Sequence, residues 1–267
     1  MTPDPFAERY GPVAFVAGAA SQVGQAFAEE LAARGLDLIV TARRTARLEE
    51  LAEKLKEKHG TTTRIVAADL ADPGGTDKVL AVCEGQDIGL VVSNGGFSTK
   101  GAFERGDAAT MAEMLMVNCN APMQLAHGLI PRLKSRGVVD KGAGLVLVSS
   151  VEGLIGHPYS AAYAATMALV NALGEALWAE LRTHGVEVLT CCHDAADEED
   201  VAGAGITDIV RDRMLSPREC VMLALDNIAE GPTFIPSKAN RERFENLAAQ
   251  SRRATLIELE KVRRMMA

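Results

Sequence analysis

The chain has 267 residues, of which 48% are hydrophobic and 4% aromatic, and its formal net charge is −8. The acidic balance argues against non-specific binding to nucleic acid or to anionic membranes, and no apolar run reaches the length that crosses a bilayer. The first ten residues also lack the basic and apolar regions of a signal peptide. We therefore expect a cytoplasmic protein without nucleic-acid or membrane partners.

Strand-length apolar runs alternate with helix-length amphipathic stretches along the chain. Seven strands are predicted, at Val13–Gly18, Leu36–Thr41, Arg64–Ala68, Ile88–Ser93, Gly144–Ser149, Val186–Cys191 and Thr233–Pro236. Helices are predicted between them, at about residues 23–34, 45–59, 77–83, 107–136, 161–184 and 217–230. Pro122 and Pro131 lie inside the longest helix and predict kinks there.

This alternation predicts a doubly wound α/β fold, with a mostly parallel seven-stranded sheet covered by helices on both faces. We expect one domain over residues 1–267, with a basic, amphipathic helical extension from about residue 237. A separate C-terminal module is the alternative, but the segment is short for independent folding. Three interpretations of the extension are open. It is a solvated helix, it packs on a substrate entrance, or it contacts a membrane surface.

A glycine-rich turn, AGAASQVG at residues 17–24, lies between the first strand and its helix. Glycines such as Gly18 and Gly24 let the backbone approach a pyrophosphate, which sits on the helix N-terminus. Such turns also serve chain geometry alone, so the pattern needs support from elsewhere in the chain.

Two arginines, Arg43 and Arg44, follow the second strand. Dinucleotide folds that prefer NAD place an acid here for the ribose 2′-hydroxyl. Arginines suit a 2′-phosphate instead, through charge-assisted bonds, so we expect NADP(H) to be favoured over NAD(H). A solvated, basic helix start is the alternative.

Further features follow in order: Asp69-Leu70 after the third strand, SNGG at 93–96, Val117-Asn118 in the long helix, and Ser150 thirteen residues before Tyr163. With the glycine turn they resemble the short-chain dehydrogenase/reductase (SDR) superfamily over about residues 11–190. The resemblance implies a Rossmann-type fold, a small-molecule carbonyl or alcohol substrate and a homodimer or homotetramer. The catalytic residues that it implies are Asn118, Ser150 and Tyr163. The cofactor contacts are Gly18, Ser21, Gln22, Val23, Gly24, Arg43, Arg44, Asp69, Leu70, Asn94 and Gly96.

Three positions depart from the family pattern. The lysine of YxxxK is Met167, and a glycine of the turn is Gln22. After the sixth strand, where the family has Pro-Gly, this chain has Cys192-His193-Asp194. Gln22 either crowds the phosphates or donates a hydrogen bond to them. The acidic run at 194–200 is a solvated loop or a lid. His193 is a substitute acid/base or a structural residue.

The loss of the lysine bears on the direction of the reaction. In the family its ammonium lowers the pKa of the tyrosine, and an ordinary tyrosine has a pKa of about 10. Alcohol oxidation needs the phenolate as base, whereas carbonyl reduction needs only the neutral phenol as proton donor. We therefore expect any surviving hydride transfer to run as slow reduction.

Three functions remain open at this point. The first is an NADP(H)-dependent oxidoreductase, a slow or specialised carbonyl reductase. Relatives with a similar C-terminal extension often act on apolar carbonyl compounds, so the resemblance implies an apolar substrate. The second is a non-redox enzyme on the same scaffold, in which Ser150 and Tyr163 polarise a substrate for elimination, cyclisation or isomerisation. The third is a non-catalytic dinucleotide sensor or scaffold.

The five cysteines are odd in number and none forms a CxxC pair, which predicts reduced thiols rather than disulfides or a zinc site. The adjacent Cys191 and Cys192 are either a redox switch or the buried end of a strand, and the second interpretation is the simpler.

Overall fold

The computed structural model describes residues 4–138, 141–193 and 215–264, and this part of the chain forms a seven-stranded sheet. The strands are β1 (Val13–Ala17), β2 (Asp37–Ala42), β3 (Thr63–Ala67), β4 (Ile88–Ser93), β5 (Ala143–Ser150), β6 (Val186–His193) and β7 (Thr233–Phe234). Their order is β3-β2-β1-β4-β5-β6-β7, and every neighbouring pair is parallel. The predicted Rossmann-type architecture is therefore confirmed.

Helices follow the strands and cover both faces of the sheet. They are α1 (Pro5–Tyr10), α2 (Gln22–Ala33), α3 (Ala46–His59), α4 (Gly75–Cys83), α5 (Ala108–Leu115), α6 (Ala121–Val138), α7 (Ala161–Leu181), α8 (Pro217–Asp226), α9 (Lys238–Ala248) and α10 (Arg252–Arg264). Three-residue 3₁₀ turns follow α7 and α8, at Arg182–His184 and Ile228–Glu230, where single longer helices were predicted.

Two apolar cores lie on opposite faces of the sheet. Phe27 and Leu31 of α2, Leu48 of α3 and Val221 of α8 belong to one cluster. Leu125, Leu129 and Leu133 of α6 and Val170 of α7 belong to the other. A parallel sheet is covered by helices on both faces, so the residues on both sides of its central strands are buried. Every residue of β4 is buried in this way.

The long helix predicted over 107–136 is interrupted. A π-helical turn, Met116–Asn120, separates α5 from α6, and the N–H of Ala121 bonds to the carbonyl of Met116. Pro122 follows directly and has no N–H to donate to the carbonyl four residues earlier, which accounts for a wider turn at this point. Helix α6 continues through Pro131.

Helix α1 was not predicted. Asp4 caps it by accepting a hydrogen bond from the N–H of Phe6 at 2.8 Å, and Pro5 occupies the first turn. Both are ordinary signals of a helix start. The helix is anchored at its end by Tyr10, which is 3% exposed and bonds to Glu187 of β6.

The C-terminal extension forms two helices rather than one. Leu247 of α9 and Leu259 of α10 form a small apolar cluster with Ile155, which lies in the loop between β5 and α7. The extension therefore packs against a loop at the carboxyl edge of the sheet. No helix within the described ranges is long and apolar enough to span a bilayer.

Candidate active site

The sequence-predicted site residues lie at one edge of the sheet. Gly18, Arg43, Asp69 and Asn94 directly follow or lie shortly after the carboxyl ends of β1, β2, β3 and β4. Strand order reverses between β1 and β4, and in open parallel sheets ligands bind in the crevice that such a reversal leaves.

The glycine turn has no room for side chains at two of its positions. Gly18 has a φ of +66°, and a Cβ there would lie 2.7 Å from the Cα of Gly95. A Cβ on Gly24 would lie 2.2 Å from the carbonyl oxygen of Gly18. Both contacts are shorter than real Cβ atoms tolerate. Glycine is therefore required at position 18 by the approach of the turn to the loop after β4, and at position 24 by the packing of α2 on the turn itself.

Asn94 and Ser21 hold the turn in place. The Asn94 amide nitrogen donates to the carbonyl of Gly18 and to the hydroxyl of Ser21, both at 3.0 Å. Ser21 caps α2 by accepting from the N–H of Gly24 at 3.1 Å. Asn94 therefore fixes the shape of the turn.

Gln22 and Val23 are the first two residues of α2. Their N–H groups belong to the first turn, whose donors have no partner within the helix and suit a phosphate. Gln22 is helical, a conformation that any residue adopts, and its side chain is half-buried. The missing glycine therefore leaves both the turn and the start of α2 formed.

Residues after β2 and β3 form the end of the crevice where the resemblance places the adenosine of a dinucleotide. Arg43 and Arg44 are exposed, and Arg43 pairs with Glu113 of α5. Asp69 accepts from the N–H of Ala71 at 2.9 Å, while Leu70 is 8% exposed and lies against Gly95. Gly96 lies one residue further along the loop, where a Cβ would come 3.1 Å from the Asn118 side-chain oxygen.

Ser150 and Tyr163 lie at the carboxyl end of β5 and in the first turn of α7. Ser150 is 7% exposed, and its oxygen accepts from the N–H of Glu152 at 3.2 Å. A hydroxyl that accepts one bond keeps its hydrogen for donation. The ring of Tyr163 is half-buried and packs against the core beneath α7.

Asn118 lies in the π-helical turn and is 1% exposed. Its side-chain oxygen accepts from the N–H of Phe97 at 3.0 Å, and its nitrogen donates to the carbonyl of Phe97 at 2.9 Å and to the hydroxyl of Thr166 at 3.1 Å. Thr166 in turn donates to the carbonyl of Tyr163 at 2.7 Å. The Asn118 amide thus links the loop after β4 to the helix that carries Tyr163, a positioning contact that the sequence pattern did not reveal.

Met167 occupies the position of the family's lysine and is 5% exposed within the core cluster beneath α7. Its carbonyl accepts from Ser149 at 3.3 Å. A Cβ on Gly153 would lie 2.6 Å from the Met167 Cβ, so the turn after Ser150 packs closely on this residue. The methionine therefore belongs to the core.

His193 is the last residue of β6 and pairs in register with Ser150 of β5. Residues aligned across neighbouring strands present their side chains to the same face of the sheet. The replacement of the Pro-Gly turn therefore places an imidazole beside Ser150. The acidic run at 194–200 lies outside the described residues.

Cys191 and Cys192 are buried at the end of β6, and successive side chains of a strand point to opposite faces. Cys192 donates to Asn171 at 3.3 Å, and burial, with a smaller contribution from the nearby Glu175 carboxylate, raises the pKa of its thiol to about 12. A buried thiol with so high a pKa forms little thiolate at neutral pH and is a poor nucleophile. These observations favour the strand interpretation over the redox switch.

We expect mild oxidation with diamide to leave Cys191 and Cys192 unlinked, because their side chains diverge and Cys192 stays protonated. Titration of native protein with a thiol reagent should detect less than one fast-reacting thiol, whereas the unfolded chain should expose all five. Mass spectrometry of oxidised peptides checks the pairing directly. Recovery of a peptide with a Cys191–Cys192 disulfide from folded protein would contradict the interpretation.

Comparisons with known proteins agree with this geometry. Residues 12–199 match the family model described as short chain dehydrogenase. A 7beta-hydroxysteroid dehydrogenase of Clostridium sardiniense is 26% identical over 268 aligned residues, which span 96% of this chain and 97% of the relative. The short-chain dehydrogenase from Sphingobium yanoikuyae in complex with NADPH is 27% identical, with a TM-score of 0.77 over 89% of this chain and 92% of that one. The bulky-bulky ketone specific alcohol dehydrogenase from Comamonas testosteroni is also 27% identical, with a TM-score of 0.77 over 90% and 91%.

Proposed function

The chain belongs to the short-chain dehydrogenase family, and from that premise we propose that it is an NADP(H)-dependent reductase of bulky, apolar ketones. The family is one of oxidoreductases that use a nicotinamide dinucleotide and small-molecule substrates. The finer assignments, to NADP(H), to reduction and to a bulky ketone, are our proposal.

The observation that carries the cofactor assignment is the position of Arg43. It directly follows β2, at the place where folds that prefer NAD keep an acid, and it lies at the same edge as the glycine turn. Its exposed guanidinium suits a 2′-phosphate through two parallel charge-assisted bonds. The NADPH complex of the Sphingobium relative supports the same cofactor.

Bound NADPH would supply a hydride to the carbonyl carbon. Ser150 donates its hydroxyl hydrogen to the carbonyl oxygen and orients the substrate. Tyr163, as a neutral phenol, gives its proton to that oxygen as negative charge develops there. Asn118 and Thr166 hold the start of α7, so the phenol stays in place. Reduction needs no phenolate, and it is therefore the direction that survives the replacement of lysine by Met167.

The substrate class rests on the C-terminal extension and on the relatives. Leu247 of α9 and Leu259 of α10 pack against Ile155. The loop between Ser150 and Tyr163 therefore has apolar side chains packed against it. The N–H of Gly101 bonds to the carbonyl of Tyr159 at 2.8 Å and fixes the other side of this loop. The relatives named above act on a hydroxysteroid and on bulky ketones, according to their names.

Calorimetric titration with NADPH and NADH, followed by a panel of steroid, aromatic and small aliphatic ketones, tests the proposal. We expect tight NADPH binding and slow turnover of the bulky ketones. Absence of binding to either dinucleotide would refute the proposal. Turnover of some substrate without any nicotinamide would favour the non-redox alternative.

We expect Arg43→Ala to weaken NADPH binding by about 10- to 100-fold, because it removes charge-assisted bonds to the 2′-phosphate. NADH, which lacks that phosphate, should change much less. Lys54→Ala is the matched control, since Lys54 is a similarly exposed cation in an ion pair with Glu29 at 2.7 Å on the neighbouring helices. An equal loss for both dinucleotides would contradict the assignment of Arg43 to the phosphate.

A further inference from the structure

An ion pair spans the adenosine end of the crevice. Nη1 of Arg43 lies 3.1 Å from Oε1 of Glu113, with the two side chains 61% and 42% exposed. Glu113 belongs to α5, seventy residues further along the chain. An acid therefore lies beside the arginine that we assign to the cofactor phosphate, although no acid follows β2 itself.

The charges of this pair act differently on the two cofactors. A phosphomonoester carries about −1.5 to −2 charges at neutral pH, so the Glu113 carboxylate repels a 2′-phosphate that approaches Arg43. Glu113 also occupies one arm of the guanidinium fork, which the phosphate needs for a bidentate contact. A ribose 2′-hydroxyl is neutral and can donate a hydrogen bond to a carboxylate, as it does in folds that prefer NAD.

We propose that Glu113 is a cofactor-specificity residue that moderates the preference for NADP(H). It holds Arg43 while the 2′-phosphate is absent, weakens binding of that phosphate, and offers an acceptor to the 2′-hydroxyl of NAD(H). The inference rests on the proposed cofactor preference, which Arg43 carries. The residue acts on binding and has no part in the transfer of hydride or proton.

The test is a titration of wild type, Glu113→Gln and Glu29→Gln with NADPH and with NADH. Glutamine keeps the size of the side chain and removes its charge. The position is exposed, and substitutions at exposed positions change stability little, so the variant should fold as the wild type does. We expect Glu113→Gln to bind NADPH about fivefold more tightly, which corresponds to about 1 kcal/mol. NADH should bind no more tightly than before.

Glu29→Gln is the matched control, because it removes the same charge from another exposed ion pair, with Lys54. Glu29 lies in the second half of α2, about 10 Å along the helix from its first residue, Gln22. It should leave both affinities unchanged. Raising the salt concentration should reduce the effect of Glu113→Gln, because exposed charges are screened.

The outcomes separate the inference from the cofactor proposal. If Glu113→Gln binds NADPH no more tightly than the wild type, while the wild type still prefers NADPH to NADH, only the role given to Glu113 is overturned. Equal affinities of the wild type for NADPH and NADH, with no effect of Arg43→Ala, overturn the cofactor preference. Absence of binding to either dinucleotide overturns both.

Discussion

Replacing Tyr163 by phenylalanine is expected to lower the rate of carbonyl reduction by about 10²- to 10⁴-fold, the usual contribution of a positioned proton donor. The phenol is the group that we assign to protonate the carbonyl oxygen. Phenylalanine keeps the ring that packs against the core beneath α7. It also keeps the backbone carbonyl that accepts from Thr166 at 2.7 Å. The variant should therefore fold and bind NADPH as the wild type does.

Single-turnover reduction with saturating NADPH measures this effect separately from cofactor binding. Tyr159→Phe is the matched control, since Tyr159 is a half-buried tyrosine four residues earlier in the loop before α7. It should retain most of the activity. A Tyr163→Phe variant that reduces ketones as fast as Tyr159→Phe would remove Tyr163 from the mechanism and favour a different proton donor.

Replacing Met167 by lysine is expected to raise the rate of alcohol oxidation at neutral pH by about 10- to 100-fold. Position 167 lies one helical turn after Tyr163 on α7, so the two side chains share a face. A neighbouring ammonium favours the phenolate and lowers the pKa of a tyrosine, and each unit increases the phenolate fraction about tenfold at neutral pH. Reduction, which uses the neutral phenol, should gain much less.

The same substitution should also lower stability. Met167 is 5% exposed within an apolar cluster, and the turn at Gly153 leaves little space around it. Burying an ammonium there is expected to cost about 2–4 kcal/mol of the free energy of unfolding, unless the lysine loses its proton.

Initial rates in both directions between pH 6 and 10, together with denaturant unfolding, measure the two effects of Met167→Lys. Met167→Leu is the control, because it keeps an apolar side chain of similar volume and should change neither the rate ratio nor the stability by much. A folded Met167→Lys variant that oxidises alcohols no faster than Met167→Leu would contradict the role given to the missing lysine.

Most of the fold was predictable because its signals are local. Most strands are apolar runs bounded by polar or glycine residues, and β4 was predicted with its observed bounds, Ile88–Ser93. The errors had separate causes. The long helix was predicted as one element with kinks at its prolines, whereas the structure has a π-helical turn directly before α6, which carries Pro122. Helix α1 was missed although Asp4 and Pro5 carry the capping signals, because only one short turn and a half follow them.

The candidate site was predictable to a lesser extent. The spacing of Gly18, Gly24, Ser150 and Tyr163 along the chain indicated a dinucleotide site, and the sheet brings these positions to one edge. The spacing carried no information on what the side chains contact. Asn118 was predicted as a catalytic residue, and the structure shows that its amide bonds to Phe97 and Thr166, a positioning role that our proposal adopts.

The sequence by itself determined the order of strands and helices, the glycine turn and the departure at Met167, because periodicity, caps and motif spacing depend on residues close together in the chain. Only the tertiary structure decided that Met167 is part of the core, that His193 lies beside Ser150, and that Glu113 pairs with Arg43. These contacts join residues that are far apart in sequence. They follow from strand register and helix packing, which the chain as a whole sets through the burial of its two apolar faces.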